Sequence, residues 1–342
     1  MRNRLVLILA GSALIVGGVA AQSARKPRLN PVIELLDQKK PVFGLYAPSN
    51  RRGGPGGRGA AGAAAPAAAQ PATPPAPDKT PAELARDAVG YKNSDFVFDG
   101  SMEGGLERAL PAFTALVGGM KDAGALTKSP LRLTHPLIVK TPELTEPTIH
   151  ADIARQLNLG VSGLMLPKAE SAEQVRAAIA AMRFKSKGGT RPDDVGSAPA
   201  FWGVSEAEYK QRADVWPLNP EGELINWTII ESKEGLAKVR EIAAVKGIGV
   251  LWPGAGTLRG IFSTTDANGQ RVLDEKAWEG AIQQVLAACK EFNVACGFPA
   301  NPNDIEMRMK QGFSVFVMNW GDAGFKAIEI GRKAANRPLT NN

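Results

Sequence analysis

Short apolar runs alternate along this chain with longer stretches whose apolar positions recur every three to four residues. The runs have the length of strands and the stretches that of helices. An amphipathic segment, Asn30 to Lys39 (NPVIELLDQK), puts Val32, Leu35 and Leu36 on one side, and Pro41 ends it. The first strand is VFGLYAP, Val42 to Pro48. Thr80 and Glu83 form a capping box with Pro81 at the first helical position, opening a helix over Pro81 to Val89. The second strand lies in DFVFDGSMEGG and is followed by a helix from Leu106 to Leu116. The third is Pro136 to Thr141, ending in Lys140, with a helix over Thr148 to Leu157 behind it. The fourth is Ser162 to Lys168, after which Ser171 and Gln174 start another helix.

A polar, Gly-, Pro- and Trp-containing excursion from Ser186 to Glu221 comes next, ordered in part by Trp202 and Trp216. The fifth strand, Ile225 to Ile230, ends in Glu231, and a helix over Glu234 to Ala244 leads to the sixth, Gly249 to Trp252. Helix Glu275 to Phe292, strand NVACGFPA, a helix capped by Asn301 and stopped by Gly312, strand FSVFVMNW and a helix from Ala323 to about Ala335 complete the series. Eight strands, each followed by a helix, predict a parallel (β/α)8 barrel of the TIM type.

In such barrels the residues at the carboxyl ends of strands carry the chemistry. Glu231 closes an otherwise apolar strand, where a carboxylate is costly unless something pairs with it. It is either a helix cap or ion-pair partner, or a metal or substrate ligand. Lys140, Asp99 and Glu103 occupy equivalent strand ends, and the sixth strand opens into a glycine loop, Gly254, Ala255, Gly256, Thr257, whose backbone N–H groups can hold a carboxylate. His135 and His150 are the only histidines. The first precedes the third strand on the opposite face and reads as structural, the second as a helix-surface residue.

Composition changes this picture at two places. Residues 1–21 place Arg2 and Arg4 before LVLILAGSALIVGGV and a small-residue site at Ala20–Ala21, the pattern of a secretory signal peptide. The run is short against the roughly 20 residues of a spanning helix, although an uncleaved anchor is the alternative. The protein is therefore expected to be exported, periplasmic or secreted. Between Gly53 and Pro77 stand 6 Gly, 6 Pro and 10 Ala in 25 positions, a composition unable to bury enough surface to order itself. The expected organisation is a signal peptide at 1–21, the start of the barrel at 22–49, an insertion at 50–79, the remaining barrel at 80–336 and a tail at 337–342.

The net charge of +7 comes without a basic run interleaved with aromatics, so nucleic acid is not an expected partner. The excess suits an anionic small molecule. Cys289 and Cys296 read as two buried apolar cysteines. A bridge over so short a loop would add little, and neither has zinc-site spacing.

The runs GVSGLMLPKAESAEQVRAAIAAMRF and IIESKEGLAKVREIAAVKGIGVLWPGAGTL, with the order of the strands, resemble the HpcH/HpaI aldolase and citrate lyase β-subunit family from about Asn30 to Ala335. The resemblance implies a pyruvate-kinase-like barrel. It also implies a carbon–carbon lyase that works on a 2-oxo acid through an enolate held by a divalent metal (Mg, Mn or Co), often as trimers or hexamers. It puts the metal on Glu231, the substrate against Gly254 to Thr257 and the enolate charge on Lys140, with Glu103 as catalytic acid/base or second metal ligand and Asp99 as the other carboxylate that could supply that ligand. Three departures stand out: Thr257 replaces the family's second metal carboxylate, Lys140 its arginine, and the family histidine near Glu103 is missing. A barrel that has lost catalysis and binds a small carboxylate metabolite is the competing reading. A surface-interaction protein using the Gly/Ala/Pro segment would leave the strand-end polar residues unexplained.

Overall fold

The computed structural model describes residues 27–50 and 77–340. Residues 1–26, which include the segment expected to be a signal peptide, residues 51–76 of the insertion and residues 341–342 lie outside them. Eight parallel strands form a closed barrel: β1 (Val42–Tyr46), β2 (Val97–Asp99), β3 (Leu137–Lys140), β4 (Gly163–Leu166), β5 (Leu224–Ile230), β6 (Ile248–Pro253), β7 (Ala295–Pro299) and β8 (Val315–Met318). Each pairs with its neighbours in chain order, and β1 closes the ring on β8 with Val42 opposite Val315. All eight strands fall where the apolar runs place them.

Strand side chains alternate between two faces, and here the two faces belong to two cores. Val42, Phe98, Ile138, Met165, Ile225, Trp227, Ile229, Val250, Trp252, Val315 and Val317 fill the interior. Phe43, Leu45, Val97, Val139, Leu164, Leu251, Phe298 and Phe316 face the surrounding helices. Trp227 stacks between Phe98 and Trp252, with ring centroids 6.2 and 5.7 Å away. These rings fit because the facing positions lack side chains: a Cβ on Gly44 would come 2.2 Å from Phe96, and one on Gly297 1.9 Å from Trp252.

The helix Pro31–Asp37 sends Val32, Ile33 and Leu36 into the interior cluster and so plugs the amino-terminal mouth. The buried Glu223 anchors it by accepting the N–H groups of Leu29 and Asn30 at 3.1 and 2.9 Å. Below the barrel, Arg337 donates to both oxygens of Asp95 and to the Pro41 carbonyl, fixing the chain after the last helix. The two borders of the insertion meet: Asn50 and Lys79 exchange side-chain-to-backbone hydrogen bonds of 2.7 and 2.9 Å. The barrel thus continues across them as if across a short loop.

Several local expectations are corrected. Cys289 and Cys296 are buried as expected but joined in a disulfide. The helix Glu275–Glu291 ends in a turn in which Asn293 takes φ 53°, and the return into β7 brings their Cα atoms to 5.7 Å, within bridging distance. The helix expected over Glu234 to Ala244 is two short helices, Lys233–Ala237 and Val239–Ala243, meeting at Lys238. The helix expected from Asn301 starts at Ile305, because Asp304 turns back to accept from the Asn301 N–H and amide. The excursion before β5 packs well. Trp202 is wholly buried with its indole N–H on the Gly160 carbonyl, and Trp216 reaches Asp37. Among the described residues no helix is long and apolar enough to cross a membrane.

Candidate active site

The alternation that fills the interior also builds the site. On β1 it runs Val42, Gly44, Tyr46; on β3, Ile138, Lys140; on β5, Ile225, Trp227, Ile229 and then Glu231. Tyr46, Lys140 and Glu231 therefore form the next layer above the aromatic interior, at the carboxyl end of the barrel. The sequence-predicted Lys140, Glu231, Glu103 and Thr257 are all brought together there.

Glu231 is buried, and among the described residues the polar groups on its oxygens are donors. Its Oε1 accepts the Lys168 N–H at 3.0 Å and its Oε2 the Thr257 hydroxyl at 2.9 Å. The Lys140 Nζ lies 3.7 Å from Oε2. These contacts offset the desolvation that an unpaired buried carboxylate would suffer. The Lys168 backbone is held at φ 52°, a left-handed conformation uncommon for a side-chain-bearing residue, and its N–H reaches Glu231 from there. Gly254 packs against the same carboxylate: a Cβ there would stand 2.4 Å from the Glu231 Cβ and 3.0 Å from Oε2.

Lys140 is 13% exposed and bridges two carboxylates, with its Nζ 2.6 Å from Glu103 Oε1 on the other side. Glu103 stands on the 3-10 turn Ser101–Gly104 that follows β2, 46% exposed at the rim. Tyr46, whose ring meets Phe98 edge-on at 5.0 Å, completes the layer. Burial first, and then the negative charges of Glu103, Asp99 and Glu231, push its hydroxyl up to about 12, so it stays a neutral hydrogen-bond donor over the working pH range. Sequence reasoning missed Tyr46 and Lys168. The parity of Val42, Gly44 and Tyr46 was a signal for the first. The second acts through its backbone and left no side-chain signal.

Other expected residues are placed elsewhere. Asp99 accepts the N–H and hydroxyl of Ser101, the first residue of the turn that carries Glu103. The Gly254 N–H is bonded to the Ile230 carbonyl at 2.9 Å, which leaves Ala255, Gly256 and Thr257 of the glycine loop to border the site. The Ala255 carbonyl is fixed by the Trp278 indole. His135 is buried at the far end of the barrel, and His150 is exposed on the helix Ile149–Asn158.

Glu231, expected as the ligand of a divalent metal, is contacted by donors: among the described residues its oxygens meet the Lys168 N–H, the Thr257 hydroxyl and the Lys140 ammonium. Glu103 is itself paired with Lys140, and Asp99 is engaged with Ser101. Among the described residues no group of three or more His, Cys, Asp or Glu side chains could hold a metal ion. A hydroxyl, an amide and an ammonium around one carboxylate are the donor set of a held anion. As they stand, these side chains do not fit a resident dication.

A closed (β/α)8 barrel with charged side chains gathered at its strand ends is the TIM-like architecture of the HpcH/HpaI aldolases. The chain belongs to the HpcH/HpaI aldolase/citrate lyase family, whose model matches residues 123–328. That match begins beyond β2, so the first two strands are recognised by fold more than by sequence. The chain is 31% identical over 197 residues to the hydroxypyruvate/pyruvate aldolase of Delftia acidovorans (strain DSM 14801 / SPH-1), covering 56% of this chain and 64% of that protein. It is 32% identical over 168 residues to the 2-dehydro-3,6-dideoxy-6-sulfogluconate aldolase of Pseudomonas putida, covering 47% and 58%. The matched regions thus span less than two thirds of either relative. Among solved structures, an HpcH/HpaI aldolase/citrate lyase family protein of Burkholderia cenocepacia J2315 superposes with a TM-score of 0.61 at 19% identity, over 90% of this chain and 98% of that one. An HpcH/HpaI aldolase of Desulfitobacterium hafniense DCB-2 gives 0.56 at 16% identity, over 89% and 95%. At these identities the likeness shows the fold.

Proposed function

We propose that the protein is a carbon–carbon lyase that cleaves a 4-hydroxy-2-oxo acid, or forms it in reverse, through an enolate. The observation that carries this reading is the Lys140 ammonium set between Glu103 and Glu231 in the layer directly above the aromatic interior. Membership of the family supports it, and both curated relatives are named as aldolases. In this reading the substrate's carboxylate and keto oxygen lie against Lys140. The Glu103 carboxylate takes the proton of the C4 hydroxyl. The C3–C4 bond then breaks, its electron pair moving into the C2–C3 enolate while the C4 fragment leaves as an aldehyde. Lys140 stabilises the charge developing on the enolate oxygen, the kind of aimed electrostatic help that contributes most in a water-poor site. Glu103 returns its proton to C3 and the cycle closes. Tyr46 donates a hydrogen bond into the same space, and Glu231, held by Lys168 and Thr257, orients Lys140.

The test is deuterium exchange into the methyl protons of pyruvate, followed by NMR, with and without Mg²⁺, Mn²⁺ or Co²⁺. Exchange that falls about a hundredfold in Glu231→Gln supports the reading. Failure of exchange, together with failure to cleave any 4-hydroxy-2-oxo acid offered, overturns it. A second reading, a barrel that binds a carboxylate metabolite without turning it over, draws on the absence of a histidine at the site. It predicts saturable carboxylate binding with no exchange. We also propose that the protein is exported. The apolar amino-terminal segment supports this, and so does the Cys289–Cys296 bridge, since such bonds persist in oxidising compartments.

A further inference from the structure

The residues around Glu231 answer a question that the proposed lyase chemistry raises: what supplies the positive charge at the substrate's oxygens. A divalent ion at Glu231 would need other anionic or neutral oxygen ligands gathered around it. Glu231 instead presents its two oxygens to the Lys168 N–H and the Thr257 hydroxyl, with the Lys140 ammonium 3.7 Å from Oε2. Thr257 fills the place from which a second carboxylate would approach, and Gly254 packs so closely that no side chain fits between it and Glu231. Two further carboxylates are near, but Glu103 is engaged by the Lys140 ammonium at 2.6 Å and Asp99 by the N–H and hydroxyl of Ser101.

Lys140 itself has the attributes of a resident cation. It is 13% exposed, it stands on a barrel strand, and its closest acidic partner is Glu103, 2.6 Å away. That partner is a rim residue, 46% exposed, on a four-residue turn. An entering carboxylate can take its place without disturbing the barrel. A displaced Glu103 then stands free beside the bound anion, where a proton carrier is needed.

We propose that Lys140 is the cation of this site: its ammonium binds the carboxylate and keto oxygen of a 2-oxo acid by displacing Glu103, and no divalent ion takes part. This rests on the lyase reading for its chemistry but not for its binding step, and the two can fail separately. Binding is followed by calorimetry with oxalate, a planar analogue of the pyruvate enolate, in EDTA. The wild-type protein should bind it saturably, Lys140→Arg should retain binding, and Lys140→Met should weaken it by at least about tenfold. In a separate titration Mn²⁺ alone is added to metal-free wild type and to Glu231→Gln, neither of which should show a saturable site. One equivalent of Mn²⁺ bound by the wild type and lost in Glu231→Gln overturns the proposal, and so does equal oxalate affinity in Lys140→Met. If Lys140→Met fails to fold, the Mn²⁺ titration and the Lys140→Arg comparison decide the matter, since no oxalate binding by the wild type, or its loss in folded Lys140→Arg, also overturns the proposal. Lys140-dependent oxalate binding without pyruvate exchange leaves this inference standing and removes the lyase reading. Pyruvate exchange that requires a metal does the reverse.

Discussion

His135 offers a quantitative check on the packing that supports the barrel. It is 1% exposed at the amino-terminal end, with Nε2 3.1 Å from the Tyr91 carbonyl and Nδ1 3.0 Å from the Thr134 hydroxyl. A carbonyl only accepts, so Nε2 carries the proton and Nδ1 accepts from Thr134. Burial, opposed in part by the Tyr91 hydrogen bond, pushes the imidazole down to about 4. In the unfolded chain it titrates near 6.5. Because the folded value is the lower one, the unfolded state binds more protons between these values, and stability falls as pH drops through that window. The contribution is fully present above about pH 6.5, and about 3 kcal/mol of it is lost by about pH 4. Urea unfolding followed by tryptophan fluorescence, at pH steps from about 7.5 to 4, should show this loss in the wild type. In His135→Gln, whose amide can keep the bond to Tyr91, that component should be missing. Glu223 and Asp304, raised by burial, act in the opposite direction but are common to both proteins, so the difference isolates His135. Parallel pH profiles for the two proteins would refute the reasoning, because they would mean that His135 is charged as readily in the fold as outside it.

Two further outcomes are expected. Gly297→Ala places a methyl group 1.9 Å from the Trp252 ring, which is itself stacked on Trp227, so it should cost about 2–3 kcal/mol in urea unfolding; wild-type stability would show that the interior has room to move. Expression with secretion intact should give a mature chain that begins at Gln22 on amino-terminal sequencing, and a chain that still begins at Met1 in the exported fraction would contradict signal-peptide cleavage.

The strands were legible because each apolar run is bounded by Gly, Pro or polar residues and is too short to be a helix. The same regularity reaches the site. Counting in twos from Ile225 puts Glu231 on the inward face, and counting from Ile138 does the same for Lys140, so both could be named from sequence. Tyr46 obeys the same count, yet an aromatic at the end of an apolar run reads as core, and only its neighbours Glu103 and Asp99 give it a second meaning. Contacts that depend on loop geometry were out of reach. The pairing of Lys140 with Glu103 spans two strands and a 3-10 turn, and the Cys289–Cys296 bridge depends on a left-handed turn at Asn293.

Thr257 carries the sharpest lesson about reading a site by substitution. Set against the family pattern it is a missing carboxylate, which suggests a weakened metal site. In the structure it is a hydroxyl donor to Glu231, and together with the Lys168 N–H it fixes a carboxylate that in turn faces an ammonium. The replacement of an arginine by Lys140 changes meaning in the same way. A planar fork beside a metal would share its charge with that metal, whereas a compact ammonium between two carboxylates concentrates one charge where a single anion can reach it. Under the proposal above the two substitutions are coupled: Thr257 removes an acidic ligand for a dication, and the Lys140 point charge on a barrel strand would hold the oxyanion instead. Each oxygen of Glu231 has a donor, so the buried carboxylate is satisfied on both sides and positioned to aim a lysine.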